Sequence, residues 1–182
     1  VYGHPALVIA IDKRAFVTVQ RLHAIDKPKI EISALDYDKR VSLPYSDENF
    51  SLNGQPVFVQ PLLGIVHHFY SKYGVSDSLS IKIHSEIPRG AGLGSSAAVC
   101  VAFAAALLNS FNKSLSRNEI SSLAFEGEKV VHGTPSGIDN TIATFGGSLE
   151  YQKGNINHFS GKRIQLIIGN TGISRETKVW VS

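Results

Sequence analysis

Ile87-Pro-Arg-Gly90-Ala-Gly92-Leu-Gly94-Ser95-Ser96-Ala-Ala-Val-Cys100-Val-Ala-Phe-Ala-Ala-Ala106 is the stretch whose reading decides the fold. Its three glycines at alternate positions let the backbone take left-handed angles and approach a ligand with no Cβ in the way. The two serines are able to cap a helix. The apolar run behind them, including Ala97, Ala98, Val99, Ala102, Leu107 and Leu108, has the propensity to continue one. An amide-rich loop feeding a helix N-terminus attracts anions, because unpaired N–H groups and the positive end of the helix dipole point the same way. Phosphate is the expected anion. A turn that merely starts a buried helix carries the same short glycine pattern, so the glycines alone decide nothing. The stretch is neither a Walker A loop, which ends in Gly-Lys-Ser/Thr, nor a Gly-x-Gly-x-x-Gly dinucleotide fingerprint.

Immediately upstream, Leu79–His84 alternates and predicts a strand running straight into the loop, giving strand, phosphate loop and helix in succession. Further upstream, Ala6–Ile11 and Ala15–Leu22 read as two strands, with Asp12-Lys13-Arg14 as a hairpin connection. Lys29–Leu35 alternates as a third strand, and the polar segment 37–53 reads as a strand edge and a loop. Pro56–Tyr73 has helical spacing, with Pro61 tolerable in a first turn and Gly74 as its stop. His67 and His68 fall on this helix, where adjacent histidines cannot face one another; both read as packing or surface residues.

Downstream of the loop, 109–118 is a polar break and Glu119–Val131 a second helix. The turn-rich run from His132 to Asn140 delivers Asp139 at its end, and Thr141–Phe145 predicts one further helical turn. Gly147–Tyr151 and Arg163–Ile168 read as strands around a hairpin at Lys153–Asn157; a loop at 169–172 and a helix from Arg175 follow.

The 182 residues suffice for one good core, or one domain and the beginning of a second. With 43% hydrophobic and 18% charged residues the composition is that of an ordinary soluble globular chain. A net charge of +3, with Lys and Arg scattered, fits small anionic ligands and gives no reason to propose nucleic acid or a membrane surface. No apolar stretch reaches the roughly 18 residues of a membrane span, and no signal peptide opens the chain. The single Cys100 excludes an intrachain disulfide and fits a reducing cytoplasm. Both ends look cut: there is no Met, strand-like sequence begins just after Val1, and Ser182 falls inside what reads as a young helix.

A second informative stretch is Glu126-Gly-Glu128-Lys-Val-Val-His-Gly-Thr-Pro-Ser-Gly-Ile-Asp139-Asn140. Alone it is an amphipathic helix with a capped turn. Beside a phosphate loop it completes a chemistry. Phosphoryl transfer needs donors around the phosphates, a divalent metal between them, and a carboxylate able to take a proton from the acceptor hydroxyl. Mg²⁺ takes one or two protein oxygens and fills the rest with phosphate and water, and Ser96 and Glu128 are reasonable ligands.

The full string from Pro88 to Ala97 resembles the phosphate loop of the GHMP kinases, the superfamily of galactokinase, homoserine kinase, mevalonate kinase and phosphomevalonate kinase. Within it, Ser-Gly-Ile-Asp-Asn after His-Gly-Thr-Pro, followed by Ala143-Thr-Phe-Gly-Gly147, resembles the mevalonate kinase branch. The resemblance implies an α+β fold, ribosomal protein S5 domain 2-like, with a mixed sheet and helices on one side, over residues 1–162. It implies the start of a second α+β domain at 163–182. It places ATP phosphates on Gly90, Ala91, Gly92, Leu93, Gly94, Ser95 and Ser96, with Ser85 a further nucleotide contact. Mg²⁺ falls to Ser96 and Glu128, and the proton of the mevalonate 5-hydroxyl to Asp139.

Val1–Leu7 and Asn170–Thr177 resemble flanking family segments more loosely. The implied partner is a small alcohol, and a homodimer stays open as the oligomeric state. The rival readings are another small-alcohol kinase of the superfamily and a non-catalytic nucleotide-binding module.

The departures are specific. The family's catalytic Lys and Gly-Glu-His motif fall upstream of Val1, and Lys13 does not match that Lys. Leu43-Pro44-Tyr45 stands where the family often has Leu-Pro-Asn, so the adenine-side Asn is not carried over. A transfer site without that Lys and without its C-terminal wall is expected to be feeble.

Overall fold

A computed structural model of the chain describes residues 5–22, 27–47, 50–88, 90–152, 155–159 and 164–169. The order is β1 (Ala6–Ile9), β2 (Ala15–Leu22), β3 (Lys29–Ala34), a 3₁₀ turn (Leu35–Tyr37), β4 (Lys39–Pro44) and α1 (Gln60–Tyr73). β5 (Ser78–Ser85), α2 (Ser95–Ser110), α3 (Arg117–His132), α4 (Ile138–Phe145), β6 (Ser148–Gln152) and β7 (Asn155–Phe159) follow.

Two sheets result. The larger is mixed, in the order β2-β5-β3-β4, with β5 parallel to β3 and the other neighbours antiparallel. Period-2 alternation sends Ile30, Ile32 and Ala34 of β3 and Leu79, Ile81 and Ile83 of β5 to one buried face. α1 and α2 cover that face, contributing Leu62, Ile65, Val66, Phe69, Phe103, Ala104, Leu107 and Leu108 to a single apolar core. The α+β architecture, with helices on one side of a mixed sheet, is therefore as expected.

The smaller sheet, β1-β6-β7, corrects a pairing expectation. β1 and β2 do not form a hairpin. β1 pairs with β6 (Ala6 opposite Tyr151) and β2 with β5 (Ala15 opposite Ser85), so Asp12-Lys13-Arg14 carries the chain from one sheet to the other. Asp-Lys-Arg has none of the left-handed residues that a tight hairpin turn needs. Arg14 is instead pinned by Glu86, whose N–H donates to the Arg14 carbonyl at 2.9 Å and whose Oε2 accepts the Arg14 N–H at 3.2 Å.

Two further expectations change. Asn155–Phe159 is strand β7, where the hairpin turn was placed. The segment 164–168 is not a strand: no described neighbour pairs with it, and Ile164, Leu166, Ile167 and Ile168 are all exposed. The helix from Arg175, the stretch 170–177 and residues 1–4 lie outside the described residues. No described helix is long and apolar enough to cross a membrane.

Helix packing places the elements that matter for the site. Ser116 caps α3 by accepting the Glu119 N–H at 3.2 Å. Gly127, midway along the helix, lies so close to its neighbours that an added Cβ would stand 2.9 Å from Cys100 Sγ of α2 and 2.9 Å from Ile65 Cδ1 of α1. This contact presses the Glu126–Glu128 segment against the core.

Candidate active site

Between the end of β5 at Ser85 and the start of α2 at Ser95 the backbone makes three left-handed steps, with φ of 71° at Gly90, 72° at Gly92 and 68° at Gly94. The residues between them keep negative φ. Alternation of this kind turns successive N–H groups toward one concave side. Gly94 is the N-cap of α2, and no side chain caps the helix. Neither serine does so: the Ser95 hydroxyl instead donates to the Ile87 carbonyl at 3.5 Å. The first-turn amides of α2 are thus left for an external acceptor, and a Cβ at Gly92 or Gly94 would meet nothing within 4 Å.

Ser85 fixes the entry to the loop. Its hydroxyl accepts the Ile87 N–H at 3.2 Å, and its own N–H donates to Asp36 Oδ2 at 2.7 Å. The other Asp36 oxygen meets His84 Nδ1. The Ser85 N–H, ahead of His84, holds the Asp36 carboxyl below the usual carboxylate range.

The carboxyl side of the site comes from α3 and α4. Glu128 is 6% exposed. Burial, and then the charge of Asp139, push its carboxyl up to about 7. No ion pair to Glu128 occurs among the described residues. Asp139 is exposed in the first turn of α4, behind the left-handed N-cap Gly137 (φ 78°). This helix begins three residues earlier than the sequence suggested, so Asp139 stands inside a helix rather than at a loop end.

From α2, exposed Ser96 and buried Cys100 face the same place. Burial first, and the Glu128 charge second, raise the Cys100 thiol to about 12, against a hydrogen bond with the Ser96 side chain. Ser96 is thus hydrogen-bonded to Cys100, Cys100 feels the charge of Glu128, and Glu128 feels that of Asp139, a chain of neighbours drawn from three helices.

A family profile described as "GHMP kinases N terminal domain" matches residues 60–147, which run from the start of α1 to just before β6. This stretch is a GHMP kinase N-terminal domain. The mevalonate kinase of Thermococcus onnurineus is 34% identical over 187 residues, covering 100% of this chain and 55% of that protein. The mevalonate kinase of Arabidopsis thaliana is 44% identical over 116 residues, covering 57% of this chain and 31% of that protein. The Methanococcus jannaschii mevalonate kinase structure superposes with a TM-score of 0.72 over 88% of this chain and 50% of that one. At 24% identity that last likeness speaks to the fold alone. The chain spans about half the length of the curated relatives it matches.

Within this GHMP kinase domain the remaining sequence expectations sort as follows. Tyr45, at the position where the family often has Asn, is a core residue at 6% exposure. It stands edge-on to Tyr70 and donates its hydroxyl to Asp47 Oδ1 at 2.6 Å. His67 stacks on Phe50 with ring centroids 4.0 Å apart, and His68 lies 3.9 Å from Glu126, in keeping with packing and surface roles. Sequence reasoning passed over Asn140 and Asp36, which carry polar side-chain bonds around the site. Asp36 had no local motif to mark it. Asn140, next to Asp139, was open to notice.

Proposed function

We propose that the protein is an ATP- and Mg²⁺-dependent kinase that transfers the γ-phosphoryl group to the 5-hydroxyl of mevalonate. The observation that carries this reading is the placement of a buried and an exposed carboxyl, Glu128 and Asp139, beside an uncapped glycine loop. The identity of the relatives supports the acceptor.

On this reading the amides from Gly90 to Ser96, with Ala91 and Leu93 between the glycines, hold the phosphates at the positive end of α2. Ser85, at the mouth of the loop, contributes a further nucleotide contact. Asp139 takes the proton of the acceptor hydroxyl as that oxygen bonds to the γ-phosphorus, and the bond from that phosphorus to the β-phosphate bridging oxygen breaks to release ADP. The donor set fits a hard divalent cation: a serine hydroxyl and a carboxyl that burial has driven toward neutrality and that a cation returns to its charged form. Ser96 and Glu128 would be the protein's share of the ligands, with phosphate and water supplying the rest. Mg²⁺ held there supplies charge neutralisation to the phosphates.

The test is ADP release by the complete gene product with mevalonate, homoserine or galactose as acceptor, with Asp139→Asn beside it. Turnover with mevalonate is expected to fall by roughly 10²-fold or more in the variant, at nearly unchanged ATP affinity. Near-normal turnover of Asp139→Asn would remove Asp139 from the mechanism. ATP binding without turnover on any acceptor would point to a nucleotide-binding module.

A further inference from the structure

We propose that Asn140 is a positioning residue, whose buried side-chain amide clamps the first turn of α4 to the second turn of α3 and so sets where Asp139 stands. The proposal rests on the reading of Asp139 as the proton acceptor.

Asn140 is 3% exposed, next to an Asp139 that is exposed. Its Nδ2 donates twice to one residue of α3, to the Ser121 carbonyl at 3.2 Å and to the Ser121 hydroxyl at 2.9 Å. Its Oδ1 has no hydrogen-bond partner among the described residues, the one such buried side-chain atom found there. That oxygen lies over the bare Cα of Gly137, 3.5 Å from where a Cβ would stand, beside the Phe125 ring. An unpaired buried acceptor is a net cost to stability, and an apolar side chain of the same shape avoids it. A leucine would remove that cost together with the two bonds to Ser121, so the exchange is close to neutral for the core; an amide serves direction.

Direction matters because α4 has eight residues, too few to hold its own course. Its apolar anchors are Ile138 and Ile142, which fix depth but not rotation. The other side-chain bond from α3 is at the far end, where Arg117 Nη1 donates to the Phe145 carbonyl at 3.3 Å. Hydroxyls of Thr141 and Thr144 bond back within α4 itself. At the end that carries Asp139, the Asn140–Ser121 contact is therefore the polar tie to α3. Ser121 and Glu128 are seven residues apart on α3, two turns and roughly 10 Å along its axis, so the clamp bears on Asp139 without touching Glu128.

The experiment compares Asn140→Leu and Asn140→Ser with wild type in the complete gene product. Leu keeps the volume; Ser, too short to reach α3, serves if Leu fails to fold. Expected are a melting temperature for Asn140→Leu within a few degrees of wild type, kcat lowered roughly 10–100-fold, and KM values for both substrates within about threefold. Amide exchange of the turn from Ile138 to Asn140 is expected to rise about tenfold, with α3 unchanged. A kcat within twofold of wild type in both variants, with Asp139→Asn inactive, overturns the clamp and leaves the kinase reading standing. Unchanged exchange in that turn overturns the clamp without reference to activity. A wild-type protein inactive on every acceptor overturns the kinase reading instead, and exchange alone then judges the clamp.

Discussion

Replacing Glu128 with Gln is expected to stabilise the ligand-free protein, and to do so at alkaline rather than acidic pH. Glu128 is almost wholly buried, and its carboxyl is driven from an ordinary 4.5 up to about 7 in the folded chain. The folded state therefore holds that proton more tightly than the unfolded state does. The resulting contribution to stability is complete below about pH 4.5 and is lost as pH rises through about 7. The gap is worth at most roughly 3 kcal/mol. Gln has nearly the same shape and no proton to lose, so it carries no such dependence.

Thermal unfolding of wild type and Glu128→Gln at pH 5 and pH 8 measures the effect, because titrating groups that do not feel the Glu128 charge cancel in the difference. At pH 5 the two are expected within about 1 kcal/mol of each other. At pH 8 the variant is expected to melt higher by roughly 6–12 °C, the upper bound for a chain of this size. Mg²⁺ with ATP at pH 8 is expected to raise the wild type more than the variant, since only the wild type offers a carboxylate to the cation. A difference that does not change with pH, or a variant less stable at pH 8, would refute the assignment of Glu128 as a carboxyl strained by burial.

Two further outcomes test the packing. Gly127→Ala puts a methyl 2.9 Å from Cys100 Sγ and Ile65 Cδ1 and 3.1 Å from the Pro61 carbonyl; overpacking of about 1–3 kcal/mol exceeds the helix-propensity gain, so the melting temperature is expected to fall by several degrees. Ser116→Ala removes the cap of α3 and is expected to cost about 1 kcal/mol in denaturant unfolding, with Ser116→Asp recovering most of it.

The glycine loop and its two flanking elements were legible because local geometry is written locally. Alternation over 79–84 can only be a half-buried strand, and a run of alanine and leucine behind three glycines can only open a helix. β4 was harder: Lys39–Pro44 is an edge strand in which only Val41 and Leu43 turn partly inward, so a polar segment conceals it. α1 begins at Gln60 rather than Pro56, because Pro56 and Val59 first close a turn with a 3.0 Å bond. Strand partners were not legible at all. β1 finds its neighbour some 140 residues downstream, and nothing in either strand names the other.

The two carboxyls show the same limit and what lies behind it. Glu128 and Asp139 are separated by the end of one helix, a turn and the start of another, and no spacing rule says that they meet. They meet because Gly127 lets α3 sink against α1 and α2, which buries Glu128, while Gly137 restarts the chain as α4 with Asp139 facing water. Identical functional groups are thereby given different solvation, and solvation is what separates their chemistry. The desolvated carboxyl gains most from a divalent cation, because the cation relieves the cost of its charge. The solvated one can exchange a proton with an acceptor without that cost. The division of roles proposed for Glu128 and Asp139 would thus follow from the close packing at Gly127, one residue before the first of them.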